Sequence, residues 1–427
     1  MVRLIDLRSR VTGHWPFAGP VYLTHIGKPS CEGPLEEENL PHYRPELFYP
    51  VRVGATLKGR YLIVAKLGWG CHATVWYCCD KVQKRYLALK IGTAQRVASS
   101  KSAKLESPEF AAYRRLEECN IDLPSTECFL AREAAEYFTL RSCGGKFEHP
   151  CFVFPAAVAD LGMLQAGLSQ RCPSESVQLC KQVVKSLLTA LDILHTQAGM
   201  VHCDIKPDNI LFSASDESIY ADVAKTMKKR ALGARWSRKG RRSTWESVHL
   251  SEFVPKEFWG HPVLGDLGEA RICKTEGQRF KAAEVCSVGF RPAEIICGME
   301  WGSEVDIWGV GMVAVILLSN QLMFGFSRQN GDHAHAEYLA RMQAIMSAPP
   351  KEFLDRMPRG KNYWDKNGQW TKKFGVEVPN RSIESIRWKV EEDQEPALLE
   401  FLRGIFTWLP EERKSARELL DDAWLQS

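Results

Sequence analysis

The chain has 427 residues, of which 45% are apolar and 25% charged, and a formal net charge of +4. That length supports a large core in two or three folding units, and so small a net charge excludes a polycation built to coat nucleic acid. Its 14 cysteines include no CxxC pair and no His/Cys cluster spaced like a zinc site, which points to a reduced, intracellular protein with free thiols.

Residues 1–45 are rich in Pro and Gly and show no sustained periodicity. Arg3, Arg8 and Arg10 stand against one acid there, Asp6, a weak likeness to a transit peptide that Pro16, Gly19 and Pro20 interrupt; a flexible tail is the expectation. Strand patterns follow. In RYLIVAKLGWG, Tyr61, Ile63, Ala65 and Leu67 alternate onto one face, and ATVWYCC and RYLALKIG continue the pattern. A helix is expected over 108–118, and then a buried strand, CFVFP, ending at Pro155.

Beyond Pro155 the period changes. Val177, Cys180, Val184, Leu187, Leu191 and Leu194 step by threes and fours, which gives one long helix with a buried stripe, stopped by Gly199. Ser303 with Asp306 marks a helix start, and Ser415 with Glu418 fits a capping box. The run IWGVGMVAVILL between them is too short to cross a bilayer and reads as a buried helix, so no membrane association is expected.

Residues 213–261 fit neither pattern. They contain KTMKKRALGARWSRKGRR, with nine Lys or Arg and no acid between Asp222 and Glu246. The favoured reading is a solvated, flexible insertion. The sharper ones are a weak RNA contact, a nuclear-import patch or a pseudosubstrate.

Several short stretches carry chemistry. GWGCHATV sets Gly68 and Gly70 in a strand–turn–strand context, where the missing Cβ lets backbone N–H groups approach phosphate oxygens. Lys90 in LALK lies on the strand expected to meet the α- and β-phosphates, and Glu109 or Glu106 could hold its ammonium in place. In HCDIKPDN, Asp204 can accept the proton of an attacking hydroxyl, and Lys206 can neutralise the moving phosphoryl group. Asn209 there and Asp266 in GDLG offer hard oxygen ligands to magnesium. Leu267 takes the place of the usual Phe, yet can pack beneath the Glu109 helix.

With these motifs, and with GFRPAEIICGMEWGSEVDIWGVG, MQAIMSAPPKEFLDRM, YWDKNGQW and FTWLPEERKSARELLDDAWL, the chain resembles a eukaryotic protein kinase, specifically a fungal-type member of the SR-protein kinase family, over residues 48–425. The resemblance implies an α+β, bilobal fold. A small antiparallel β-rich N-lobe would span 46–155, and a larger, mainly α-helical C-lobe would span 156–427 with the insertion at 213–261. It implies ATP and Mg2+ as cofactors, and transfer of the γ-phosphoryl group to serine in Arg/Ser-rich, splicing-type proteins by a monomer in the cytoplasm or nucleus. Leu67, Val75, Ala88 and Phe154 join Gly68, Gly70, Lys90 and Glu109 as the nucleotide-binding set, with FPAAVADL as the hinge after Phe154. Glu294 is expected to pair with Arg413, and Asp306 to hold the catalytic-loop backbone.

Four departures stand out. Cys203 replaces the arginine that in many kinases grips a phosphate on the activation segment, so that segment is expected to work unphosphorylated; a packed side chain is favoured there over a redox sensor. Ala73 occupies the third glycine position, and Pro292-Ala293 reverses the usual order. Only Asp332 and Glu337 are acidic in residues 324–343, where the family presents acids to an Arg-rich substrate. A pseudokinase scaffold that binds partners without turnover is the alternative.

Overall fold

The computed structural model describes residues 34–96, 107–119, 136–142, 145–168, 172–227, 234–237, 242–281, 283–325, 331–358, 362–365 and 367–427. Residues 1–33 of the expected tail lie outside them, as do Glu106, most of the basic stretch and residues 326–330. The chain divides into two compact units. The first is Met1–Leu105, Leu130–Ala159 and Phe212–His261; the second is Glu106–Phe129, Asp160–Leu211 and Pro262–Ser427.

The first unit is built on one sheet of seven strands: β1 (Thr56–Leu57), β2 (Tyr61–Trp69), β3 (Ala73–Asp80), β4 (Tyr86–Gly92), β5 (Gln95–Arg96), β6 (Glu136–Arg141) and β7 (Phe147–Pro155). Their order is β1-β2-β3-β4-β7-β5, with β6 paired to β7. The β2–β3 and β3–β4 ladders are antiparallel, as the short loops between these consecutive strands require, and β4 pairs antiparallel with β7. Val, Ile, Tyr, Trp and Cys side chains fill β2 and β3, types that suit a pleated, buried surface.

On β2 the expected alternation holds only in part. Tyr61, Ile63 and Ala65 are buried, but so are Val64 and Lys66, and the register shifts between Ile63 and Ala65 and again between Lys66 and Gly68. The reason is a second cover on the strand, supplied by the insertion.

Residues 213–261 are therefore the main departure from expectation, because they belong to the sheet unit and their described part is packed. A helix, Ser218–Met227, puts Ile219, Tyr220, Val223, Ala224 and Met227 into the same apolar cluster as Tyr61, Ile63, Trp76 and Tyr77. Trp245, Val248, Leu250, Phe253 and Val254 join it. Charge density hid an apolar stripe at helical spacing, and burying that stripe outweighs the solvation of the flanking lysines.

The end of the expected tail is ordered as well. A turn of 3-10 helix, Glu36–Asn39, places the Glu37 carboxylate against the Lys66 ammonium, both buried, and Lys66 also donates to the Trp245 carbonyl at 3.2 Å. Glu36 accepts from Ser247, and Glu38 from Thr244.

The second unit is mainly helical. Its long helix, Pro173–Thr196, packs against Glu304–Ser319 and against Ala416–Leu420. Every residue of Glu304–Ser319 after the first is buried, as the unbroken apolar run predicts. Ser415 and Glu418 form the expected capping box. The Pro108–Glu118 helix also belongs here: Ser107 caps it, and it packs on the turn Leu267–Glu269.

Candidate active site

The sheet unit carries one group of expected nucleotide residues. Between β2 and β3 the chain turns through Gly68–Trp69–Gly70, closed by a hydrogen bond from Gly70 N to Ala73 O at 2.9 Å. A Cβ built on Gly68 or Gly70 meets nothing within 4 Å, so this backbone is open to a ligand. Leu67 falls in the second register shift, and Gly68 pairs with Val75.

The ladders then collect the rest. Lys90 pairs with Val75 on one side and Phe152 on the other, while Ala88 pairs with Tyr77 and Phe154. Directly opposed residues, and those two apart on one strand, share a face. Gly68, Val75, Ala88, Lys90 and Phe154 thus lie on one face of the sheet, with Lys90 half-buried and Leu89 fully buried on the other.

The helical unit carries the acids. The strand Met200–Val201 pairs with Arg271–Ile272 and delivers the loop that follows it. Asp306, buried in the Glu304–Ser319 helix, accepts from His202 N at 2.7 Å and Cys203 N at 2.8 Å, as expected, and also meets His195 Nε2 at 2.9 Å. Two charge-assisted bonds of this kind hold Cys203 in the left-handed region, at φ 68°, which an unsupported residue reaches only at a cost of about 1–2 kcal/mol. His202 joins this loop to the next: Nε2 lies 3.0 Å from Gly265 O, and Nδ1 accepts from Asp204 N at 3.2 Å, which assigns the proton to Nε2.

Asp204 is the hub. Its Oδ2 accepts from Lys206 Nζ at 2.6 Å and Asn209 Nδ2 at 3.0 Å, and its Oδ1 from the Ser287 hydroxyl at 2.8 Å. Lys206 Nζ also donates to Ser287 Oγ at 3.1 Å. Ser287, which no sequence motif singled out, is committed to the site. No spacing rule could find it, because its partners lie 81 and 83 residues away.

Asn209 spends its amide nitrogen on Asp204, donating also to the Asp204 carbonyl at 2.8 Å, which leaves its side-chain oxygen to face a cation. Its own carbonyl accepts from Gly265 N at 2.8 Å, so the residue preceding Asp266 is tied to Asn209. Asp266 also has positive φ, 62°, with Oδ1 accepting from Gly268 N at 3.2 Å. An amide oxygen and a carboxylate, set by neighbouring backbone, are the hard donors that suit a divalent cation completed by phosphate and water. Leu267 is buried in the turn beneath the Glu109 helix. Burial first, and then the charges of Glu109 and Asp266, push the intervening Tyr113 hydroxyl well above its ordinary value.

The segment from Asp266 to Glu294 is fastened along its length. Phe280 and Trp301 exchange backbone bonds at 2.7 and 3.1 Å and stack at 4.7 Å. Arg291 Nε donates to Cys286 O at 3.0 Å, and the Tyr338 hydroxyl donates to Gly289 O at 2.9 Å. Arg413 grips Glu294 with both Nη atoms, as expected. Cys203 is buried among Val201, Val285, Ile295, Trp301 and Val305, in the packed state favoured from the sequence.

Comparison with known proteins agrees with this construction. The protein kinase domain model matches residues 61–225 and 257–425, leaving out part of the insertion. A serine/threonine protein kinase of Aspergillus fumigatus is 33% identical over 394 residues, which cover 92% of this chain and 91% of the relative. The serine/threonine-protein kinase SRPK of Physarum polycephalum is 25% identical over 406 residues, covering 91% of each. SRSF protein kinase 3 of Mus musculus is 29% identical over 199 residues, covering 47% of this chain and 34% of the relative. The chain belongs to the protein kinase family and is a serine/threonine protein kinase, an enzyme that uses ATP and a divalent metal to phosphorylate protein substrates.

Proposed function

We propose that this kinase transfers the γ-phosphoryl group of ATP, held with Mg2+, to serine in Arg/Ser-rich proteins, and does so with no phosphate on its own activation segment. The observation that carries the transfer is the Asp204 hub. One carboxylate oxygen is held by Ser287 and the other by Lys206 and Asn209, so the base is oriented before substrate arrives. Asp204 takes the proton of the substrate hydroxyl, and Lys206 stands beside the transferring group to offset its charge. Asn209 and Asp266 would hold magnesium, which neutralises charge on phosphate oxygens when bound. Lys90 would take the α- and β-phosphates together with the Gly68–Gly70 backbone. Leu67, Val75, Ala88 and Phe154 would enclose the base.

Independence from phosphorylation is supported by the bonds of the 266–294 segment and by Cys203. A buried thiol in an apolar cluster cannot grip a phosphate, and the segment is already fastened by Tyr338, Arg291 and Trp301. The Arg/Ser-rich substrate rests on the motif resemblance and on the similarity to kinases named SRPK and SRSF protein kinase. The same reading has the chain act as a monomer in the cytoplasm or nucleus, with weak RNA contact through the basic stretch. A scaffold without turnover is disfavoured, since none of the polar groups around Asp204 is missing.

The test is Mg2+-dependent transfer from ATP to an Arg-Ser repeat peptide. Asp204→Ala and Lys90→Ala are expected to abolish it, while pretreatment with a broad phosphatase leaves the wild-type rate unchanged. Equal signals from wild type and both variants would assign the activity to a contaminant. A Lys-Ser or arginine-free peptide phosphorylated as well as Arg-Ser would remove the substrate assignment and leave the kinase.

A further inference from the structure

Within the insertion, Tyr220 is placed in a way that packing alone does not require. It sits in the Ser218–Met227 helix, 5% exposed, and its hydroxyl donates to the Ala156 carbonyl while accepting from Ala214 N at 2.8 Å. Its own backbone carbonyl accepts from the Tyr77 hydroxyl at 2.6 Å. Tyr77 is fully buried on β3 and pairs with Ala88, which in turn pairs with Phe154. A second bond, from Val158 N to Phe212 O at 2.7 Å, holds the same stretch of chain two residues on.

Ala156 is the second residue after Phe154, in the stretch expected to act as hinge, and is itself fully buried. No peptide bond among the described residues is cis. In a trans peptide the carbonyl of one residue and the N–H of the next point in opposite directions. Fixing the Ala156 oxygen toward Tyr220 therefore aims the Ala157 N–H the other way. Pro155 has no N–H to offer, so the Ala157 donor gains weight in reading a base.

We propose that Tyr220 is a positioning residue for nucleotide recognition: by anchoring the Ala156 carbonyl, the insertion helix orients the Ala157 N–H toward a ring nitrogen of adenine. The inference rests on the reading of 155–159 as the hinge of an ATP-using kinase. It gives the packed insertion a catalytic consequence without its touching substrate. Burial raises the Tyr220 phenol to about 12, so the hydroxyl keeps the proton it donates through the physiological range.

Tyr220→Phe keeps the ring and removes the bond. The expected result is a rise of about 3- to 10-fold in KM and Kd for ATP, the factor one neutral hydrogen bond carries, with kcat and peptide KM within twofold of wild type. Binding of inorganic tripolyphosphate with Mg2+, which offers no base, should not change. Tyr77→Phe, which loosens Tyr220 one bond further back, should move KM for ATP in the same direction by less, and serves if Tyr220→Phe fails to fold. Unchanged ATP binding in both variants, or a parallel loss of ATP and tripolyphosphate binding, overturns the inference and leaves the kinase intact. A wild-type chain that bound no ATP would instead defeat the kinase reading and this one with it.

Discussion

Arg413 sets its two Nη atoms against the two carboxylate oxygens of Glu294, at 2.7 and 2.9 Å, with both side chains fully buried. The guanidinium is further engaged by the carbonyls of Glu304 and Thr407 and lies 5.0 Å from the Trp308 ring centre. Such a pair is weak evidence for net stability, but removing one member strands a charge in an apolar interior. Arg413→Met should therefore cost about 3–5 kcal/mol in the unfolding of the helical unit. Glu294→Gln should cost less, because the amide keeps one acceptor. Denaturant melts followed by tryptophan fluorescence give both numbers, and a loss below about 1 kcal/mol for Arg413→Met would mean the site admits water.

Ser287 spans the base and the cation of the catalytic loop, donating to Asp204 and accepting from Lys206. Hydrogen bonds to charged groups carry roughly 1.5–3 kcal/mol, and about 1.4 kcal/mol is a tenfold rate. Ser287→Ala should lower kcat by about 10- to 100-fold while leaving KM for ATP near wild type. Ser287→Thr, which keeps the hydroxyl, should restore most of the rate. If Ala and Thr variants lost activity equally, the hydroxyl would not be orienting the base.

Lys66 and Glu37 join the end of the N-terminal segment to β2 and to the insertion through the Trp245 carbonyl. Lys66 lies two residues before Gly68, off the alternating face that carries Tyr61, Ile63, Ala65 and Leu67. Lys66→Ala should destabilise the sheet unit by about 3–5 kcal/mol, since it leaves Glu37 buried beside an empty site. Lys66→Met with Glu37→Leu together should recover much of that loss, as apolar replacement of a buried pair often does. Thermal melts of the wild type and the two variants check the order, and a double variant worse than the single would show that the charges themselves are needed.

How much could be read in advance follows from the range over which each feature is fixed. Asp204, Lys206 and Asn209 sit within six residues, and phosphoryl transfer restricts their spacing, so one short stretch exposes them. The Pro108–Glu118 helix was legible because its cap and proline are local signals. The insertion was misread because its lysines are contiguous while its apolar stripe, Ile219, Val223 and Met227, is interleaved with polar residues. The burial of Lys66 was not legible because a strand covered on both faces loses its alternation. Ser287 was missed because only tertiary approach selects its partners.

Cys203 gives a chemical check on the packed reading of the catalytic loop. Burial, and then the nearby Asp306 carboxylate, push its thiol well above the ordinary 9.0. Since the thiolate is the nucleophile, iodoacetamide at pH 7.5 should label the exposed Cys71 and Cys172 in the native chain and reach Cys203 only after unfolding. Burial raises Cys78 and Cys180 in the same direction. A thiol held protonated by the fold contributes its full stabilisation below the unfolded value, near pH 9, and loses it as the pH climbs toward the folded value. Each such thiol should thus remove roughly 1.4 kcal/mol per pH unit above that point. Urea midpoints between pH 8 and 10.5 should fall more steeply in wild type than in Cys180→Ala. Parallel curves, together with rapid native labelling of Cys203, would show these thiols to be open to solvent.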